Sequence, residues 1–217
     1  MTDQETQPQH PREKEIIAKW SNPIPYTSLT ELSHSEKFGG MIEEMFGNNI
    51  QGKRFLDIGC GVPPKVSIYL ASKGADAYAL DKKGEDKKNQ IKSFYNVNFI
   101  CDNTRYLKEI FKGEKFDGII SKAFLGLPFQ LWMNEENRQE KPVTPNGFFK
   151  TCYNLTKEGG YNVHYKYYGE WIESGKKDLE KIGFEVITSF DDPRDLGNLG
   201  TLLVLRKPYS NQNQNKN

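Results

Sequence analysis

At 217 residues and 25.0 kDa the chain is long enough to bury one substantial core without disulfide support. Lys and Arg total 30 against 29 for Asp and Glu, a net charge of +1, and no run nears the roughly 18 apolar residues of a membrane span; no global drive therefore holds the chain to nucleic acid or to a membrane. Cys60, Cys101 and Cys152 are odd in number and widely spaced, and His10, His34 and His164 are scattered, which argues against a disulfide framework or a metal site and for thiols in a reducing cytoplasm.

Residues 1–12 are Gln-, Thr- and Pro-rich, without the apolar stretch of a secretion signal, and 210–217 read SNQNQNKN. Neither carries enough apolar surface to offset ordering entropy, so both are expected to be disordered tails. Residues 13–209 then form one domain: a helical arm over 13–49 and an α/β core over 50–209. In the arm, helical pieces flank the loop Asn22-Pro23-Ile24-Pro25-Tyr26. Ser35 is expected to cap a helix running to Phe46, with Phe38, Met41, Ile42, Met45 and Phe46 at helical spacing.

From Lys53 the pattern alternates. Strands are predicted at Arg54–Ile58, Asp76–Leu80, Val97–Cys101, Phe116–Ser121, Gly160–Tyr165, Phe184–Phe190 and Thr201–Arg206. Helices are predicted at Pro64–Ser72, Glu85–Phe94, Thr104–Phe111, Pro145–Leu155 and Trp171–Ile182. Near-continuous apolar strands alternating with helices argue for a doubly wound, mostly parallel seven-stranded sheet. The last two strands have no helix between them and are expected to form an antiparallel hairpin at one edge.

Open α/β sheets bind ligands outside the carboxyl ends of their strands. The first strand runs into Asp57-Ile58-Gly59-Cys60-Gly61-Val62-Pro63-Pro64, whose glycines permit a sharp turn and close approach of a ligand. The second ends at Asp81, twenty residues after Gly61, where a carboxylate can accept both hydroxyls of a ribose. The third ends at Cys101-Asp102-Asn103, which can read the edge of a purine. Each alone is weak, because a strand-end Asp is commonly a turn or helix cap; three in successive βα units are much stronger.

These motifs resemble those of the class I S-adenosylmethionine (SAM)-dependent methyltransferases, over about Lys53–Arg206. Phe55–Gly61 matches the acidic-x-Gly-x-Gly motif, Asp81 the ribose-binding acid, and Cys101-Asp102-Asn103 the adenine-contacting segment. Phe116–Ser121 resembles the fourth strand, and Leu155–Gly160 the Gly-Gly turn before the fifth. The resemblance implies a Rossmann-like fold that holds SAM through Asp57, Gly59, Cys60, Gly61, Asp81, Lys82, Asp102, Asn103 and Ser121, with no metal. Pro63 stands where the family often has a third glycine, so the loop is expected to end differently. Pro63 and Pro64 also each remove an N–H that a dinucleotide's pyrophosphate would use, and no GKS/T sequence occurs. SAM carries no phosphate and loses little by this.

Methyl transfer from a sulfonium requires chiefly alignment and desolvation of the acceptor. No Asn/Asp-Pro-Pro-Tyr/Phe motif follows the fourth strand at Ser121-Lys122, which lowers the case for amino groups of nucleic-acid bases. A small-molecule acceptor is expected, with neither nucleic acid nor membrane as partner. His164, near the end of the fifth strand, is the candidate general base; a histidine packed on the sheet is an equally open reading. The segment Phe124–Val143, with Phe129, Leu131, Trp132 and Met133, is too long for an ordinary βα loop and reads as an acceptor lid or a surface helix. Tyr26, His34 and the connection Asp191–Gly200 are further candidates for the pocket wall. Lys82–Lys88 reads as a solvated face. The alternative function is a non-catalytic SAM-fold binding or scaffold protein.

Overall fold

A computed structural model describes residues 12, 13, 15, 16, 31–122, 124, 144–165, 172–189 and 202–210. Helix α1 (Glu31–Met45) is followed by β1 (Arg54–Ile58), α2 (Lys65–Ser72), β2 (Asp76–Asp81), α3 (Lys88–Tyr95), β3 (Asn98–Cys101), α4 (Leu107–Ile110) and β4 (Phe116–Lys122). Then come α5 (Pro145–Leu155), β5 (Thr156–Tyr165), α6 (Ile172–Ile182), β6 (Glu185–Ser189) and β7 (Leu202–Arg206). Short 3-10 turns, Glu85–Lys87 and Thr104–Tyr106, precede α3 and α4, where the sequence pattern predicts uninterrupted helices.

The strands form one seven-stranded sheet in the order β3-β2-β1-β4-β5-β7-β6. The pairs β1–β2, β1–β4, β2–β3 and β4–β5 are parallel, and β7 runs antiparallel to both β5 and β6. The closing strands are thus the expected antiparallel pair at one edge, with β7 inserted inside and β6 outermost. The chain winds outward from β1 through β2 and β3, then returns to place β4 on β1's other side. That reversal between β1 and β4 opens a crevice at their carboxyl ends.

Two apolar layers sandwich the sheet. On one face α1 and α2 bury Phe38, Met41, Ile42, Val66 and Leu70 against Phe55, Ile120, Val163 and Val204. Residues three and four apart along α1 supply that stripe. Ile16 joins the same layer, and Glu13 accepts a hydrogen bond from the Tyr161 hydroxyl at 2.9 Å. On the other face α5 and α6 bury Phe148, Phe149, Cys152 and Leu179 against Leu56, Ile119, Leu203 and Leu205. Alternate residues of each central strand therefore serve opposite layers.

Two boundaries differ from the sequence expectation for physical reasons. Ser35 lies inside α1 rather than at its cap, and its buried hydroxyl accepts from the Lys122 ammonium at 3.0 Å. Strand β5 begins at Thr156, ahead of the Gly-Gly turn. The register slips between Phe116↔Thr156 and Gly118↔Tyr161, so the two glycines form a bulge within the strand rather than a turn before it.

Charges at the amino ends of the strands do structural work. The Arg54 guanidinium donates to Asp76 at 3.1 Å and to the Tyr78 hydroxyl at 2.8 Å, and pairs with Glu114. Asp117 accepts from the Arg54 amide and from Lys157, both at 2.8 Å. Lys207 donates to the carbonyls of Tyr153 and Thr156 at the carboxyl end of α5.

Candidate cofactor site at the strand ends

Asp57 is the penultimate residue of β1 and points toward the α1/α2 layer, where it is 2% exposed. The Ser67 hydroxyl donates to its Oδ2 at 3.1 Å, and the Ser67 amide adds a second bond from the first turn of α2. Its Oδ1 is buried without a hydrogen-bond partner among the described residues. Burial pushes the carboxyl up to about 7, against the opposing effects of Ser67 and the Lys122 charge. A buried polar oxygen without a partner is uncommon and marks Asp57 as a candidate for a ligand contact.

Beyond Asp57 the chain turns at Gly59 and Gly61, with φ of 65° and 70°, a region that side chains other than glycine's enter at a cost. The amides of Gly59 and Cys60 donate to the Leu80 carbonyl at 2.8 and 3.3 Å, folding the loop onto the end of β2. The Gly61 amide donates to Asp81 Oδ2 at 2.9 Å, and the Lys83 amide to Oδ1 at 3.1 Å. Asp81 therefore anchors the glycine loop as well as offering its remaining lone pairs outward. A side chain at Gly61 would meet nothing within 4 Å, so the loop is open there, whereas one at Gly59 would strike the Phe124 ring. The Val62-Pro63 peptide is cis, and Pro64 occupies the N-cap of α2 without a side-chain cap.

Asp102 is exposed at the tip of β3, its Oδ1 accepting from the Asn103 amide at 2.6 Å, and Asn103 Oδ1 accepts from Arg105 at 3.0 Å. Lys82 is exposed beside Asp81. Cys60 is partly buried with its thiol donating to the Gly61 carbonyl at 3.3 Å; burial, with the nearby Asp57 and Asp81 charges, pushes the thiol up, so it stays protonated. The structure thus gathers Asp57, Gly59, Cys60, Gly61, Asp81, Lys82, Asp102 and Asn103 around the ends of β1, β2 and β3.

Ser121 and His164 stand apart from that group. Both are fully buried, the Ser121 hydroxyl 2.8 Å from His164 Nδ1, and the imidazole stands edge to face with Phe149 at 5.5 Å in the α5 layer. Its Nε2 is buried and without a partner among the described residues, and burial pulls the ring down to about 3. A ring so enclosed has little proton affinity and no exposed nitrogen. These are the properties of the packed histidine rather than of the general base that the sequence also suggested. Ser67 was not singled out from the sequence, and Phe124 was named only as the start of the 124–143 segment, not as a neighbour of the glycine turn. Ser67 carried a signal, as a hydroxyl in the first turn of the helix after an acidic strand end; nothing in the sequence pointed to the contact of Phe124 with Gly59. Tyr26, the side chain of His34, residues 125–143 and Asp191–Gly200 lie outside the described residues.

No protein-family model matches the sequence. The ribosomal RNA small subunit methyltransferase G of Vibrio atlanticus (strain LGP32) is 23% identical over 116 residues, 52% of this chain and 55% of that protein. The chain thus aligns with only about half the length of that curated relative. Among solved structures, the 1,6-didemethyltoxoflavin-N1-methyltransferase of Burkholderia thailandensis, bound to 1,6-didemethyltoxoflavin and S-adenosylhomocysteine, superposes with a TM-score of 0.58 at 13% identity, over 91% of this chain and 87% of that one. The chain has the class I methyltransferase fold. The magnesium protoporphyrin IX methyltransferase of Synechocystis PCC 6803, with bound SAM, shares it at a TM-score of 0.51 and 16% identity, over 89% and 96% of the two chains. Among the described residues of this methyltransferase-fold chain, no helix is long and apolar enough to cross a membrane, and no cluster of His, Cys, Asp and Glu could hold a metal ion.

Proposed function

We propose that the protein is a SAM-dependent methyltransferase acting on a small molecule. The observation that carries the reading is the vacant, buried Oδ1 of Asp57 beside the open Gly61 turn. Both lie at the crevice where the strand order reverses. The residues fit SAM. Asp57 offers an acceptor for its ammonium, and Asp81 keeps lone pairs for ribose hydroxyls beyond those used by Gly61 and Lys83. Asp102 and Asn103 stand at the adjoining strand end for the adenine, with Gly59, Cys60 and Lys82 lining the turn. SAM, when bound, supplies an activated methyl on a sulfonium, so the chain's own contribution is to align and desolvate the acceptor. In this reading His164 and Ser121 support the sheet beneath that space, which their burial and the Phe149 contact favour. A net charge of +1 favours a small acceptor over nucleic acid.

Calorimetry with S-adenosylhomocysteine, the demethylated form of SAM, tests the reading. The protein should bind it, and Asp81→Ala should weaken binding by about 1–3 kcal/mol, the cost of losing hydrogen bonds to a charged acceptor. Folded wild-type protein that shows no binding at millimolar ligand would overturn the assignment and leave the scaffold alternative.

A further inference from the structure

Among the described residues, the exposed large apolar side chains are Val62, Phe94, Tyr95, Tyr106 and Tyr209, and all but Tyr209 surround the outermost strand β3. Phe94 and Tyr95 end α3 just before β3, Tyr106 follows β3, and Val62 lies against the Gly84 turn that leads into α3. Phe94 is 71% exposed, and its ring stands 6.4 Å from that of Tyr95 at a tilt of 56°. Single exposed apolar residues are ordinary; a cluster on one edge marks a contact surface. The same edge is positively charged. Residues 82–95 hold five exposed lysines against two exposed acids, Glu85 and Asp86, in a chain whose net charge is only +1. Those acids pair with Lys88 at 3.8 Å and Lys87 at 3.5 Å, and Ile91 is the buried residue of α3, so the rest of the helix faces outward.

We infer that the α3–β3 edge is a docking surface for an acidic segment of a partner protein. Phe94 and Tyr95 are the anchors, seated among apolar side chains of the partner, and the lysines of 82–92 meet its carboxylates. Aromatic anchors ringed by charge are the usual form of a protein contact, with the rings supplying affinity and the charges orientation. A second copy of this chain is a poor occupant, because a two-fold contact through this edge sets the same lysine-rich stretch against itself. Single-stranded RNA is also a poorer fit. Glu85 and Asp86 interrupt the lysines and repel a regular row of phosphates, the tilted rings present a wedge rather than two parallel stacking faces, and a net charge of +1 gives no long-range pull on a polyanion. The inference stands apart from the SAM reading, since none of its anchors binds the cofactor in that reading.

Fluorescence anisotropy with three labelled probes tests this on the full chain: a peptide of repeating Glu-Glu-Leu units, its neutral Gln-Gln-Leu counterpart, and an oligouridylate of the same charge as the first. The acidic peptide should bind, the neutral one should not, and the oligouridylate should bind more weakly than the acidic peptide. Added salt should weaken the complex, because exposed charges are screened beyond about 10 Å at 0.1 M. Phe94→Ser should weaken peptide binding by about 5-fold or more, the scale of an anchor residue, and Tyr95→Ser should act in the same direction. Lys92→Glu should weaken binding and flatten its salt dependence. Both Phe94 and Lys92 are exposed, so these variants should melt within a few degrees of wild type; if Phe94→Ser does not fold, the test is read from Lys92→Glu. No binding of the acidic peptide, or binding that neither Phe94→Ser nor Lys92→Glu weakens, would overturn the proposal. Tighter binding of the oligouridylate would replace the protein partner by RNA, and light scattering that shows a dimer lost in Phe94→Ser would replace it by a second copy.

Discussion

Replacing Asp57 by Asn should change how stability depends on pH, and the structure sets the size and sign. Asp57 is fully buried, and its carboxyl is raised from the ordinary 3.8 to about 7. A raised folded value means that the folded chain holds a proton which the unfolded chain has released. The associated stability is complete below pH 3.8 and is lost as pH climbs through about 7. At about 1.4 kcal/mol per pH unit, the loss across that window is about 4 kcal/mol. Asn keeps the volume and can still accept from Ser67, but it does not titrate. The stability of Asp57→Asn relative to wild type should therefore rise by about 4 kcal/mol between pH 4 and pH 8. His164 works in the opposite sense. Its value is lowered from 6.5 to about 3, so its stability is present above pH 6.5 and lost as pH falls toward 3. Between about pH 4 and 6.5 the folded chain carries one proton on Asp57, and the unfolded chain carries one on His164. The two slopes cancel in the wild type. Asp57→Asn should expose a stability that rises with pH across that window, and His164→Gln one that falls. Urea unfolding followed by circular dichroism at half-unit steps from pH 4.5 to 8 measures all three curves. Parallel curves for wild type and Asp57→Asn would refute the buried carboxyl with a raised value.

The glycine loop and its anchor yield two further expectations. Gly59→Ala should destabilise more than Gly61→Ala: both force a side chain to positive φ, at about 1–2 kcal/mol, but only the first drives it into the Phe124 ring. Chemical denaturation of both variants checks this, and equal losses would show that Phe124 yields freely. Ser67→Ala removes the hydroxyl donor to the buried Asp57 and should cost about 1–3 kcal/mol, more at pH 8, where the carboxylate is charged, than at pH 5; a pH-independent loss would place the effect in helix packing instead.

The order of strands and helices was legible from residues 53 to 206 because its cause is local. Buried parallel strands are written as unbroken apolar runs, such as Phe55-Leu56 and Ile119-Ile120, and the helices between them as periodic stripes. The glycine turn and the acids at 57, 81 and 102 were legible for the same reason, since each lies at or within one residue of the end of its own strand, and strand ends converge in any doubly wound sheet. Sequence order could not say which face each side chain joins. Ser121 and His164 read as members of the site, but alternation along β4 and β5 turns both into the α5 layer, where Phe149 packs on the imidazole. Asp57 and Lys122 alternate onto the other face, where they meet Ser67, ten residues past Asp57, and Ser35, 87 residues before Lys122. The sequence by itself determined the order of elements and the strand ends where the candidate cofactor residues stand. Only the packing of two helix layers on a pleated sheet decided which of those side chains are buried alone, which are paired, and which keep an acceptor vacant, because desolvation and hydrogen bonding depend on neighbours that chain order does not bring together.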